Sequence, residues 1–141
     1  MKSISYITIF VFSFIAINVN AQCNEANFRK IMTPQFAKGL SECQLTTKVE
    51  FIGMGNAGMR VPNKLKNKII FRCVSPGDEP VKNQLSGQEI GYFCYVNKDN
   101  SDILFDLKKG DLIELKGKVW VNNWMGYKNG NFICESINKL Q

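Results

Sequence analysis

Hydrophobic positions change period several times along this chain, and each change marks an element. Between residues 24 and 42, Phe28, Ile31, Met32, Phe36 and Leu40 recur at steps of three and four, the spacing of a buried helix stripe. Thr33-Pro34 interrupts it. Threonine caps a new helix, proline suits its first position and Gly39 closes it, so two short helices are expected, lying against the rest of the domain. Over residues 44–54 the period drops to two: Leu45, Thr47, Val49 and Phe51 alternate with Thr46, Lys48 and Glu50, as on a half-buried strand. Residues 68–74 form a second strand, with Ile69, Phe71 and Cys73 facing opposite to Lys68 and Arg72. Residues 91–97 form a third. The stretch 75–90 between them carries Pro76, Gly77, Pro80 and Gly87, too many turn formers for a strand or a long helix, and reads as a long surface loop.

After the third strand comes the most legible helix. Ser101 is placed to cap it and Asp102 opens its first turn. Ile103, Leu104 and Leu107 form its apolar face, Lys108 and Lys109 close it, and Gly110 stops it. Acid at the start and base at the end suit the partial charges of the helix termini. Residues 111–121 alternate again, with Ile113, Leu115, Val119 and Val121 on one side. Residues 131–137 form a fifth strand, and the Asn-, Met- and Gly-rich stretch 122–130 reads as the hairpin connection between them.

The expected order is strand, strand, strand, short helix, strand, strand. That order resembles the OB-fold, a five-stranded barrel with its helix between strands three and four. The fold class expected is therefore mainly β: an OB-fold-like barrel over residues 44–141, preceded by short helices in a segment spanning 22–43. Three segments carry a closer likeness: Tyr92-Phe93-Cys94-Tyr95, Leu107-Lys108-Lys109-Gly110-Asp111-Leu112-Ile113-Glu114-Leu115-Lys116-Gly117-Lys118-Val119, and Phe132-Ile133-Cys134. Together they resemble the second half of exported bacterial OB domains of the tRNA-anti-like kind, across about 45 residues from Tyr92 to Ile137. The helical lead and the long second loop depart from that pattern. The likeness implies the fold and names no ligand.

The N-terminus reads as a removable leader. Lys2 supplies a positive start, residues 4–17 are mostly apolar, and Val19-Asn20-Ala21 suits cleavage after Ala21. The apolar run is shorter than the ~20 residues of a bilayer span, and no basic stop follows it. The expected location is outside the cytosol, periplasmic or secreted. Cys23 invites comparison with a lipid-attachment site, but Gln22 before it is not the small residue such signals take, so no lipid anchor is expected.

Removing residues 1–21 leaves 120 of 141 residues, a single-domain length. The full chain carries a net charge of +6, of which Lys2 contributes one, so the mature chain is near +5 and favours acidic partners. Five cysteines occur, at 23, 43, 73, 94 and 134. In an oxidising compartment one or two disulfides are expected, with Cys43, Cys73, Cys94 and Cys134 the candidates. Equally, these are small apolar residues suited to burial in strands. Their spacing does not fix a pairing.

No histidine is present. That removes the commonest general base, the serine triad, the cysteine–histidine pair and histidine-ligated metals. Asp99, Asp102, Asp106 and Asp111 lie close in sequence, but their places around a helix give each a capping or solvent-facing duty, and they miss the calcium-loop pattern. A hydrolase built on those carboxylates alone is the weakest of the readings. No enzyme activity, cofactor or metal is expected. Gly53-Met54-Gly55-Asn56-Ala57-Gly58 matches the glycine pattern of dinucleotide sites, yet no helix follows it, so it reads as a flexible loop.

OB-folds commonly bind along strands two and three, between the loop joining strands one and two and the loop joining strands four and five. Here the first loop and its exit carry Arg60, Lys64, Lys66 and Lys68. The second carries Trp124, Tyr127 and Lys128, with Trp120 just before it, and Arg72, Phe93 and Tyr95 are placed on the face between. Cations that track a backbone and flat rings that stack suit an extended anionic or sugar-like polymer. Extracellular nucleic acid, an oligosaccharide or another exported protein would fit. The alternative is a structural or inhibitory partner protein of the cell envelope, docking through a sheet edge or the 75–90 loop.

Overall fold

The computed structural model describes residues 23–56, 61–124 and 127–141. The expected leader, Gly58 and Arg60 lie outside them. Five strands close into one barrel: β1 (Leu45–Met54), β2 (Lys68–Val74), β5 (Tyr92–Asn97), β6 (Leu112–Trp124) and β7 (Tyr127–Lys139), in the order β1-β2-β5-β7-β6. β5 and β7 are parallel, and the other neighbours are antiparallel. Strand three beside strand five, with strand four closing back onto strand one, is the OB-fold topology expected from the sequence.

β1 serves two neighbours in turn. Its first half pairs with β6, from Leu45 opposite Gly117 to Glu50 opposite Leu112, and its second half with β2. A register shift between Phe51 and Gly53 marks the bend this needs. Gly53, the first glycine of the dinucleotide-like pattern, stands opposite Arg72, and the N–H of Gly55 reaches the Ile70 carbonyl at 2.9 Å. The two glycines extend strand pairing instead of forming a free loop.

Alternation fills the interior as expected. Val49, Phe71, Val96, Ile113, Leu115 and Phe132 are fully buried in one cluster. α1 (Phe28–Met32) and α2 (Pro34–Ala37) contribute Phe28, Ile31, Met32 and Ala37 to that same cluster. The Phe28 ring meets Tyr92 edge-on at 5.5 Å and Phe132 at 6.2 Å. Tyr92 opens β5 and α3 (Ile103–Asp106) follows its far end, so helices cover opposite ends of the barrel. Thr47, buried inside, donates its hydroxyl to the Ala26 carbonyl at 2.5 Å, and Ser75 Oγ accepts from the Arg29 N–H at 2.9 Å. Buried polar groups there are matched rather than orphaned.

Several expectations are corrected. Phe36 sits 52% exposed, because α2 turns after Pro34 and only Ala37 of its residues is buried. The 75–90 loop holds a small antiparallel hairpin, β3 (Val81–Lys82) with β4 (Glu89–Ile90). Asn83 organises its turn, its side-chain oxygen accepting from the N–H groups of Leu85 and Ser86. α3 is shorter than its sequence suggested: the Ser101 hydroxyl donates back to Lys98, Leu107 is extended, and Lys108 and Lys109 lie beyond the helix. Gly110 makes the turn with a φ of +89°, as a stop residue should. The expected 122–130 connection is mostly strand, since β6 and β7 remain paired out to Trp124 opposite Tyr127.

The disulfide pattern also differs. Cys23 and Cys43 are bonded, tying the start of the helical segment to its end, while Cys73, Cys94 and Cys134 are free thiols buried in the barrel. The strand-interior reading of those three is the correct one, because all point inward from neighbouring strands β2, β5 and β7.

Candidate functional site

Because Phe71 and Cys73 point inward, alternation turns Lys68, Ile70 and Arg72 of β2 outward. Pairing with β5 sets Lys68 opposite Asn97, Ile70 opposite Tyr95 and Arg72 opposite Phe93. The outer β2–β5 face is thus a two-wide ladder with a cation at each end and apolar residues between. Lys68 Nζ donates to Asn97 Oδ1 at 2.5 Å. Arg72 donates from its guanidinium to the Glu89 carbonyl, and its Nε is buried without a protein partner. The Glu89 carboxylate is taken by Lys109 at 2.7 Å. Among the described residues, then, neither Lys68 nor Arg72 is in an ion pair.

The middle of the face is covered. Leu65, on the single turn Asn63–Leu65 of the β1–β2 loop, is 1% exposed and packs with Ile70 and Tyr95, each 8% exposed. Val61, Trp120 and Ile133 join this cluster, which is separate from the barrel core. Lys64 Nζ lies 5.4 Å from the Trp120 ring centroid, within cation–π range. Burial holds the Tyr95 phenol above the usual tyrosine range, with neighbouring Cys94 adding a smaller push. Tyr95 lies on the β2–β5 face where the sequence places it, and the loop closes over it.

Of the remaining expected site residues, Lys64 and Lys66 are exposed on the loop and Phe93 is 40% exposed. In the β6–β7 register Trp124 is the partner of Tyr127, and Asn123 of Lys128. The structure brings Lys64, Lys68, Arg72, Phe93 and Tyr95 to one side of the barrel. Leu65, Asn97 and Ile133 complete that side and were missed. Ile70 was readable in principle, since it shares the parity of Lys68 and Arg72, and Trp120 packs into the same face cluster.

Elsewhere, Asp99, Asp102 and Asp106 are exposed around α3, and Asp111 accepts from the Lys108 N–H at 2.8 Å and from Lys139 Nζ at 2.7 Å. That backbone bond, then Lys139, holds the Asp111 carboxyl below its usual value. Burial pushes the Cys94 and Cys134 thiols well up, away from the reactive thiolate form. Among the described residues no group of three or more Cys, Asp or Glu is arranged to hold a metal ion. A groove of about 470 Å³ between Glu25, Lys30, Phe36 and Leu40 lies on the helical segment, away from the β2–β5 face.

No protein family's sequence profile matches the chain, and no characterised protein sequence aligns with it significantly. Solved structures do resemble it in fold. OBody NL8, bound to hen egg-white lysozyme, superposes with a TM-score of 0.47 at 12% identity, over 70% of this chain and 93% of that one. The N-terminal domain of PriB from Thermoanaerobacter tencongensis gives 0.42 at 11% identity, over 70% and 96%. Rim1, a mitochondrial single-stranded DNA binding protein from S. cerevisiae, gives 0.43 at 17%, over 68% and 94%.

Proposed function

We propose that this chain is an exported, non-enzymatic binding module whose outer β2–β5 face and β1–β2 loop hold an extended polyanion, with single-stranded nucleic acid the class favoured. The observation carrying this reading is the ladder itself: among the described residues neither Lys68 nor Arg72 is in an ion pair, and Phe93 and Tyr95 stand beside them. Cations track phosphates, and rings accept bases without regard to sequence. Export is supported by the leader pattern and by the Cys23–Cys43 disulfide, since such bonds persist in oxidising compartments.

The test is a titration with oligo(dT) and, separately, an acidic polysaccharide, followed by tryptophan fluorescence at two salt concentrations. If Lys64, Lys66, Lys68 and Arg72 each meet one phosphate, affinity for oligo(dT) falls about 50-fold between about 50 and 200 mM salt. Lys68→Glu and Arg72→Glu each weaken it and flatten the slope. Binding of the polysaccharide alone would transfer the face to glycans; no response to either polymer would remove the polyanion reading.

One observation favours a second reading, a protein-docking role. On the β3–β4 hairpin Val81 is 71% and Leu85 fully exposed, although Asn83 orders the turn beneath Leu85. An ordered turn presenting a leucine to water is suited to insertion into a partner's apolar cleft. Leu85→Ser would then abolish a stable complex while leaving polyanion binding untouched.

A further inference from the structure

We infer that Leu65 is a self-competitor: the 61–66 segment folds Leu65 onto the ring platform of Ile70, Tyr95 and Trp120, and must lift before a planar ring of the ligand can take its place. This rests on the β2–β5 face being the ligand face proposed above.

Leu65 lies on a loop, between Lys64 and Lys66, yet it is the most buried member of its cluster. What holds it there is narrow. Among the described residues no hydrogen bond joins 61–67 to a strand: the Leu65 N–H goes to the Pro62 carbonyl at 2.8 Å, and the Lys66 N–H to the Asn63 carbonyl at 3.4 Å, both inside the segment. Attachment comes from Leu65, from half-buried Val61 and from Lys64 above Trp120. The cluster beneath it is separate from the barrel core, so the segment can leave without opening the barrel.

The chemistry of the covered site is specific. Two aromatic side chains, Tyr95 and Trp120, flank two isoleucines, Ile70 and Ile133, a surface that takes a flat ring as readily as it takes a leucine. Lys64 and Lys66 travel with Leu65, so the movement that uncovers the rings also frees the Lys64 ammonium from Trp120 to meet a phosphate. A binding-competent state that is only a fraction of the population weakens apparent affinity by that fraction, and loosening the closed state recovers it.

Leu65→Ala and Val61→Ala test this, with oligo(dT) as the probe. Truncating a buried leucine at a binding site ordinarily weakens binding or leaves it unchanged; self-competition predicts the opposite sign. Leu65→Ala is expected to raise affinity for oligo(dT) about tenfold, and Val61→Ala to raise it less, with stability to urea falling by the linked amount, about 1.4 kcal/mol for a tenfold gain. In a Trp124→Phe background, Trp120 emission in the ligand-free Leu65→Ala protein shifts to the red and returns on binding. Wild-type binding with equal or weaker affinity in both variants overturns self-competition alone. Should Leu65→Ala fail to fold, Val61→Ala decides by the same sign. Absence of binding by every form overturns the face itself, and this inference with it.

Discussion

A β-carbon on Gly130 would stand 2.5 Å from the carbonyl oxygen of Met32. β7 and the end of α1 therefore meet backbone to backbone, and only a residue without a side chain permits it. This approach seats Phe28 against Phe132 and draws the helical segment into the barrel's core. Gly130→Ala must push the helix outward or bend the strand, at a cost of about 1–3 kcal/mol. Urea unfolding followed by near-ultraviolet circular dichroism, which reports the Phe28–Tyr92 packing, measures it. A loss below about 0.5 kcal/mol, the range of an ordinary surface change, would show that the contact is not tight.

The Cys23–Cys43 bond closes a loop with a sequence separation of 20 and encloses both N-terminal helices. Restricting a loop of that length in the unfolded chain is worth about 3 kcal/mol. Reduction, or the paired change Cys23→Ser with Cys43→Ser, should lower stability by about that amount while leaving the barrel's strand signal in far-ultraviolet dichroism intact below the new midpoint. Equal midpoints for oxidised and reduced protein would mean the segment gains nothing from the clasp.

Cys73, Cys94 and Cys134 predict a distinctive thiol count. All three are free and at most 2% exposed, and burial holds Cys94 and Cys134 as neutral thiols. The native protein should show no rapid reaction with an aromatic disulfide reagent, and the denatured, unreduced protein should release three equivalents. One equivalent on denaturation would mean that two of the barrel thiols are paired. Fast native reaction would contradict their placement inside the barrel.

Legibility of the sequence divides along physical lines. Period-two alternation marked β1, β2, β5, β6 and β7 because each strand has one wet and one dry face, and Phe71 with Cys73 on one parity fixed Arg72 on the other. Contacts between distant segments left no such trace. Nothing in the pattern says that Gly130 must admit Met32, or that Leu65, placed among lysines in a polar loop, folds back over Tyr95. Cys43 and the three barrel cysteines look alike in sequence; which one bonds depends on where the helices return. The short α3 was over-read because its lysines suit a helix end but are drawn into the turn where Asp111 accepts from the Lys108 N–H. Candidate cations were legible as residue types, while their availability was set by partners on other strands: Asn97 for Lys68 and the Glu89 carbonyl for Arg72.

The β3–β4 hairpin should respond to acid before the barrel does. Glu89 is held below its ordinary value of 4.5, chiefly by its hydrogen bond to Lys109, and that contact ties the hairpin to the turn after α3. Its folded pKa is the lower one, so the attachment is fully present above the unfolded value and is lost as pH falls through the folded one. The pair is solvent-screened and adds little to global stability; its effect is local. Hydrogen exchange at residues 81–90, corrected for intrinsic rate, should therefore quicken as pH falls below the ordinary glutamate value of 4.5, while amides of β1 and β6 stay protected. Glu89→Gln should show the quick exchange already at neutral pH and remove the acid step. If exchange in the hairpin of the wild-type protein tracks that of β1 throughout, the hairpin opens only with the whole fold and the Lys109 contact does not govern it.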